Sequence, residues 1–199
     1  VVVLAAGSGS RFGGRKLLAP LAGRPLLQRA IDAACGSRAL SCALVLGADA
    51  NDIVDCVDTR RCAIVRNEDW REGIAASVRA GLRLAAESDS CIFMLGDQPF
   101  VSLDDIDALL RSSADLCSAD LYGRPAIVAL RLGTIWGAPV LFPRRDFAAL
   151  ARLRGDAGAK RYAETQRKRL RFVTAQDPRA FRDIDSPSDL RDLEASHVG

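Results

Sequence analysis

The residues best suited to chemistry stand at the start of the chain, in LAAGSGSRFGGRK, residues 4–16. Gly7 and Gly9 let backbone N–H groups turn inward, as a chain does when it cradles phosphate oxygens. Arg11 offers a planar fork that spans two oxygens, and Lys16 a compact point charge five residues on. Lys16 is one of only three lysines in an arginine-rich chain, so lysine itself is the suggested requirement there. Two common phosphate loops fail on these residues. The dinucleotide pattern G-x-G-x-x-G meets Phe12 where its third glycine belongs. The Walker pattern meets Arg15 at its lysine position, with no hydroxyl placed for magnesium. What remains is L-A-A-G-x-G-x-R-x-G-x-x-K, a phosphate-type loop with two cations five apart.

A second candidate is Asp97 in GDQP, residues 96–99, directly after the apolar run CIFML. A carboxylate just past the carboxyl end of a central strand lies where α/β sheets bind ligands. Paired with the first loop, Asp97 is expected to hold Mg²⁺ against nucleotide phosphates. The one histidine, His197, makes histidine-based acid–base catalysis and multi-histidine zinc sites untenable.

These groups need a scaffold, and the hydrophobic pattern names one. Residues 1–5, 42–47, 62–65 and 91–95 are short apolar runs without polar alternation, as in a parallel sheet covered on both faces. Helical patterns fit between them: after the first loop, from Pro25 to Cys35, and over 73–86 with a stripe of Ile74, Val78, Leu82 and Ala85. SLDD at 102–105 and SPSD at 186–189 carry capping-box spacing, the second with Pro187 at the first helical position. Residues 126–130 and 138–142 read as strands with no helix between, hence an antiparallel insertion. The expectation is an α/β, Rossmann-like, doubly wound and mostly parallel sheet in one domain spanning residues 1–199.

Bulk properties are consistent with a globular protein. The 199 residues are 49% hydrophobic and 27% charged, with a formal charge of +3. That charge is too small to indicate nucleic acid, and no run is long enough to span a membrane. Residues 144–171 are locally basic, read as a solvated helix face or as steering for an anion. The start has no basic flank, so no signal peptide is expected, and the chain opens in a strand rather than on methionine, so further residues are expected before it. Cys35, Cys42, Cys56, Cys62, Cys91 and Cys117 contain no C-x-x-C pair and read as reduced packing residues of a cytoplasmic protein.

RNEDWREGIAASVRAGL (66–82), GDQP (96–99), GAPVLF (137–142), LRGDAGAK (153–160) and DIDSPSDL (183–190) follow the first loop in this order. Together they resemble the molybdenum cofactor nucleotidyltransferase family, in its cytidylyltransferase branch. The resemblance implies a nucleotide-diphospho-sugar-transferase-like fold, Mg²⁺, and transfer of CMP from CTP to the phosphate of molybdopterin with release of pyrophosphate. Carried onto this chain, it implies nucleotide binding by Leu4, Ala5, Ala6, Gly7, Ser8, Gly9, Ser10, Arg11 and Lys16, with Asn67, Gly73 and Ser77 near base and ribose. Arg11, Lys16 and Asp97 would be catalytic, Asp97 and Asp185 would bind metal, and Gln98, Pro99, Gly155, Asp156 and Asp183 would meet the pterin acceptor. A molybdoenzyme receiving the product is the implied partner. Ala6, where other branches have glycine, points to the cytidine branch, and its methyl would narrow the base pocket. Ala138 departs from the family, which commonly has histidine there, and leaves the acceptor open. Alternatives are a transferase of the same fold using GTP, ATP or another phosphorylated acceptor, and a non-catalytic cofactor-binding accessory protein. A NAD-binding module is more distant, because of Phe12.

Overall fold

The structure, a computed structural model, describes residues 1–115, 125–182 and 184–195. Asp183, Cys117 and His197 therefore lie outside the described residues.

The chain opens with β1 (Val2–Ala5) and enters the glycine loop, which holds two tight helical turns, Ser10–Phe12 and Lys16–Leu18. A two-stranded ribbon follows, β2 (Pro20–Leu21) and β3 (Arg24–Pro25), and then α1 (Leu26–Gly36). Next come β4 (Ala43–Leu46), α2 (Ala50–Cys56), β5 (Ala63–Arg66), α3 (Ile74–Leu84), β6 (Ser90–Leu95) and α4 (Leu103–Asp115). The remainder is β7 (Ile127–Leu132), β8 (Ile135–Pro143), α5 (Phe147–Leu150), α6 (Ala159–Thr165), β9 (Leu170–Thr174) and α7 (Pro187–Ala195). The sheet order is β5-β4-β1-β6-β8-β7-β9. β1 pairs in parallel with β4 and β6, and β4 with β5, while β8 runs antiparallel to both β6 and β7. β9 returns parallel to β7. The expected mostly parallel sheet with a small antiparallel insertion is present.

Alternation along the strands explains why both faces are covered. Val3 and Ala5 of β1 pack with Leu27 and Ile31 of α1 and Ile106 and Leu109 of α4. Val2 and Leu4 pack with Val78 and Leu82 of α3 and with Leu150. Period-two side chains with helices on both sides make the central strands β1 and β4 apolar throughout. Both capping boxes form. Ser102 and Asp105 exchange bonds at α4, with Asp105 N–H donating to Ser102 Oγ at 3.1 Å and Ser102 N–H to Asp105 Oδ2 at 2.9 Å. At α7, Ser186 N–H donates to Asp189 Oδ2 at 2.7 Å.

Two expectations are corrected. No helix follows the glycine loop directly; the ribbon intervenes, and Pro25 ends β3 as the cap of α1 rather than sitting in its first turn. The basic stretch is not uniformly solvated. Arg169 is 4% exposed, donating to both Asp146 oxygens at 2.9 and 2.7 Å and to the Pro125 carbonyl.

Candidate active site

β4 and β6 lie on opposite sides of β1, so the chain reverses its direction of travel across the sheet at β1. Sheets of this kind bind ligands at such a switch point, outside the carboxyl ends of the strands. A cleft of about 580 Å³ opens there. It is lined by Leu4 through Phe12, Lys16, Leu17, Trp70, Arg71, Gly73, Ile74, Ser77, Leu95, Asp97, Asp156 and Asp185.

The loop's shape follows from its glycines. Gly9 has φ 59°, and a Cβ there would lie 2.9 Å from the Lys16 Cβ. The loop can close against Lys16 only with glycine at this position. The N–H groups of Phe12 and Gly14 turn back onto the Gly9 carbonyl at 2.9 and 3.1 Å. Among the described residues, no protein acceptor meets the N–H groups of Gly7, Ser8 and Gly9. Those donors are left for an anionic ligand in the cleft. On the far wall, Gly73 has φ 97°, and a Cβ would lie 2.5 Å from Asp156 Oδ1 and from the Gly155 carbonyl oxygen. Only glycine lets the start of α3 approach that loop so closely.

The charged groups converge. Lys16 Nζ donates to Asp97 Oδ2 at 2.7 Å and lies 3.5 Å from Asp185 Oδ1. Arg11 Nη1 donates to Asp185 Oδ2 at 2.8 Å. Asp97 arrives from the end of β6 and Asp185 from the residues just before α7. α7 is held by apolar contact, with Ile184, Leu190 and Leu193 packing among Leu21, Leu26 and Phe100. Burying each such side chain contributes roughly 1.5–3 kcal/mol, enough to fix Asp185 beside the loop. Asp189 helps by accepting from the Asp185 N–H at 2.9 Å.

Two converging carboxylates that face a cleft suit a hard divalent cation, which takes one or two carboxylates and completes its shell with phosphate oxygens and water. Lys16 now balances their charge. The donor set therefore fits Mg²⁺ or Mn²⁺.

Leu4, Ala5, Ala6, Gly7, Ser8, Gly9, Ser10, Arg11, Lys16, Gly73, Ser77, Asp97, Asp156 and Asp185 are all brought to this one cleft. Asn67 lies beneath it, 5% exposed, with its amide donating to Ser77 Oγ at 3.1 Å. Gln98, Pro99 and Gly155 do not line it. Gln98 accepts from the Leu95 N–H at 3.3 Å and donates to the Ala138 carbonyl at 3.0 Å, clamping β6 to β8. Sequence reasoning missed Arg71, whose guanidinium stacks over Trp70 at 4.3 Å. The residue types were visible in NEDWREG, but only the turn at Trp70–Glu72 aims them at the cleft.

Comparison with known proteins agrees with this geometry. The model of the MobA-like NTP transferase domain matches residues 1–170. The chain belongs to the MobA-like NTP transferase family. It is a nucleotidyltransferase of that superfamily, and Asp185 lies beyond the matched region. Nicotine blue oxidoreductase of Paenarthrobacter nicotinovorans is 29% identical, with 93% of this chain and 91% of that protein covered. Purine catabolism protein PucB of Bacillus subtilis is 27% identical, with 94% and 92% covered. The crystal structure of Rv0371c from Mycobacterium tuberculosis is 28% identical and superposes with a TM-score of 0.81, covering 98% of this chain and 96% of that one. A manganese complex of Rv0371c superposes with a TM-score of 0.78, at 27% identity and 98% and 97% coverage.

Proposed function

We propose that this MobA-like transferase moves a nucleotidyl group from an NTP to a small phosphorylated acceptor and releases pyrophosphate. The observation that carries this reading is the convergence of Lys16, Asp97, Asp185 and Arg11 on the mouth of the glycine loop. The free N–H groups of Gly7, Ser8 and Gly9 take nucleotide phosphate oxygens. Arg11 and Lys16 neutralise the charge that builds on the leaving pyrophosphate. The acceptor phosphate is ionised at neutral pH and needs no general base, which suits a cleft with no histidine among the described residues that line it. Asp97 and Asp185 hold a divalent cation, Mg²⁺ in our reading, which when bound adds charge neutralisation and orients the phosphates. Ser77, Gly73 and the buried Asn67 lie on the base and ribose side.

The finer reading is CMP transfer from CTP to molybdopterin phosphate, with the product passed to a molybdoenzyme. Its support is the motif order and Ala6, which is 4% exposed and lines the cleft. Ala138 weakens the pterin assignment, so a GTP- or ATP-using transferase with another phosphorylated acceptor stands as the broader statement. One relative bears the name of an oxidoreductase, and this sets a control.

The test is pyrophosphate release with CTP, GTP or ATP, each with Mg²⁺ or Mn²⁺, with molybdopterin and other phosphate monoesters as acceptors. Metal-dependent release with one NTP, lost in Asp97→Ala, is expected. Binding of a nicotinamide dinucleotide but of no NTP would overturn the reading.

A further inference from the structure

Three cysteines from separate elements meet at the opposite end of the sheet. Cys35 lies in the last turn of α1, Cys42 immediately precedes β4, and Cys62 immediately precedes β5. The Cys35 and Cys62 sulfurs are 3.7 Å apart and those of Cys62 and Cys42 3.6 Å, with all three within 4.8 Å of one another. Cys42 is buried, while Cys35 and Cys62 are half-buried, so the cluster has a way in from solvent. β1, β4, β5 and β6 are parallel, so these sulfurs at the strand starts are a full strand length from the nucleotide cleft at the strand ends.

The spacing suits one bound ion. Thiolates about 2.3 Å from a metal lie about 3.8 Å apart in a tetrahedron and about 4.0 Å apart in a trigonal plane. The 3.6 and 3.7 Å separations need only a few tenths of an ångström of adjustment, the third pair closes by at most about 1 Å, and all are too short to straddle a polynuclear cluster. Among the described residues no histidine or carboxylate joins the three sulfurs. A structural zinc site is therefore one side-chain ligand short, whereas three thiolates with no carboxylate among the described residues select a soft ion. Arg61 donates to the Cys35 carbonyl, which places a guanidinium beside the cluster.

We propose that Cys35, Cys42 and Cys62 form a three-thiolate site for a soft monovalent ion of the copper(I) class, separate from the nucleotide cleft. On binding, three S–H bonds are replaced by three Cu–S bonds. Three protons leave to solvent, and the copper stays at +1 throughout. The ion ties the end of α1 to the starts of β4 and β5.

The experiment is anaerobic titration of the reduced protein with copper(I) against a chromogenic copper(I) chelator, with X-ray absorption of the product. The expected result is one tightly held equivalent with three sulfur neighbours at about 2.3 Å and a rise in melting temperature with copper(I). Cys35→Ser and Cys62→Ser, both half-buried positions whose folding is checked by circular dichroism, should each weaken retention at least ~10-fold. That loss corresponds to about 1.4 kcal/mol. Cys56→Ser, at an exposed cysteine outside the cluster, should not. Failure to retain copper(I), or equal retention in Cys35→Ser and Cys62→Ser, would overturn the proposal. Four-coordinate zinc bound more tightly than copper(I) would overturn the assignment of the ion. NTP binding measured on the same samples reports on the cleft independently.

Discussion

Two carboxylate–cation clusters in this protein use the same groups for opposite ends. The side chains of Asp146 and Arg169 are 3% and 5% exposed, and the guanidinium donors are all paired inside the protein. Both Asp146 oxygens accept from Arg169, Tyr162 O–H donates to Oδ1 at 2.7 Å, and the Pro125 carbonyl and Gln166 Oε1 take the rest of the guanidinium. Lys16, Asp97 and Asp185 are 13%, 33% and 49% exposed, and they meet at the edge of a cleft. Their remaining lone pairs and donors face a space that a ligand can fill. A closed cluster fixes the position of β9 and α6. An open one stores binding capacity. Both pair carboxylates with cations, and what separates them is which donors and acceptors the protein has left unused.

Mutations that attack one cluster should leave the property of the other intact. The largest effect is expected from Asp146→Ala, which strands a buried guanidinium and should destabilise by about 3–5 kcal/mol in urea unfolding. Replacing both partners, as Asp146→Leu with Arg169→Met, should recover most of that loss, and turnover per folded molecule should be unchanged throughout. If the single variant unfolded no more easily than the parent, the closed-cluster reading would fail. In the open cluster, Lys16→Ala and Asp97→Ala should each lower turnover by at least ~10²-fold, with urea midpoints close to the parent's. Near-normal turnover in both would remove the cleft as the site of chemistry.

Smaller effects sharpen the contrast. Ser186→Ala removes one half of the α7 cap and should cost about 1 kcal/mol. By loosening Asp185 it should also weaken divalent-metal binding, read as a raised metal requirement in the transfer assay. The smallest effect is expected at high pH. Burial, then the bond to Asp146, push the Tyr162 phenol up to about 12, from an ordinary value near 10. The neutral phenol is thus favoured by the fold. Its contribution to stability should be complete below pH ~10 and disappear as the pH rises through about 12. Tyr162→Phe should flatten that alkaline limb of the stability curve.

The parallel half of the fold was legible because its strands are short, apolar throughout and separated by amphipathic helices. The two capping boxes were legible because their geometry depends on residues three apart. The glycine loop was legible for the same local reason. The ribbon at 20–25 was not, since two-residue strands leave no period to detect. Arg169 looked like one more basic residue in a basic stretch. Its burial depends on Asp146, 23 residues away, and on the carbonyl of Pro125, 44 residues away just before β7.

Sequence alone thus determined the chemistry on offer: a phosphate-type loop with Arg11 and Lys16, a strand-end Asp97, and helices placed to cover a parallel sheet. These are matters of local spacing and periodicity, which a chain carries wherever it goes. Tertiary structure decided which of those groups meet. Packing of Ile184, Leu190 and Leu193 carries Asp185 169 residues back to Lys16. The parallel register of β4 and β5, together with the end of α1, gathers three scattered cysteines at one edge. Such meetings depend on contacts remote in sequence, and no local pattern encodes them.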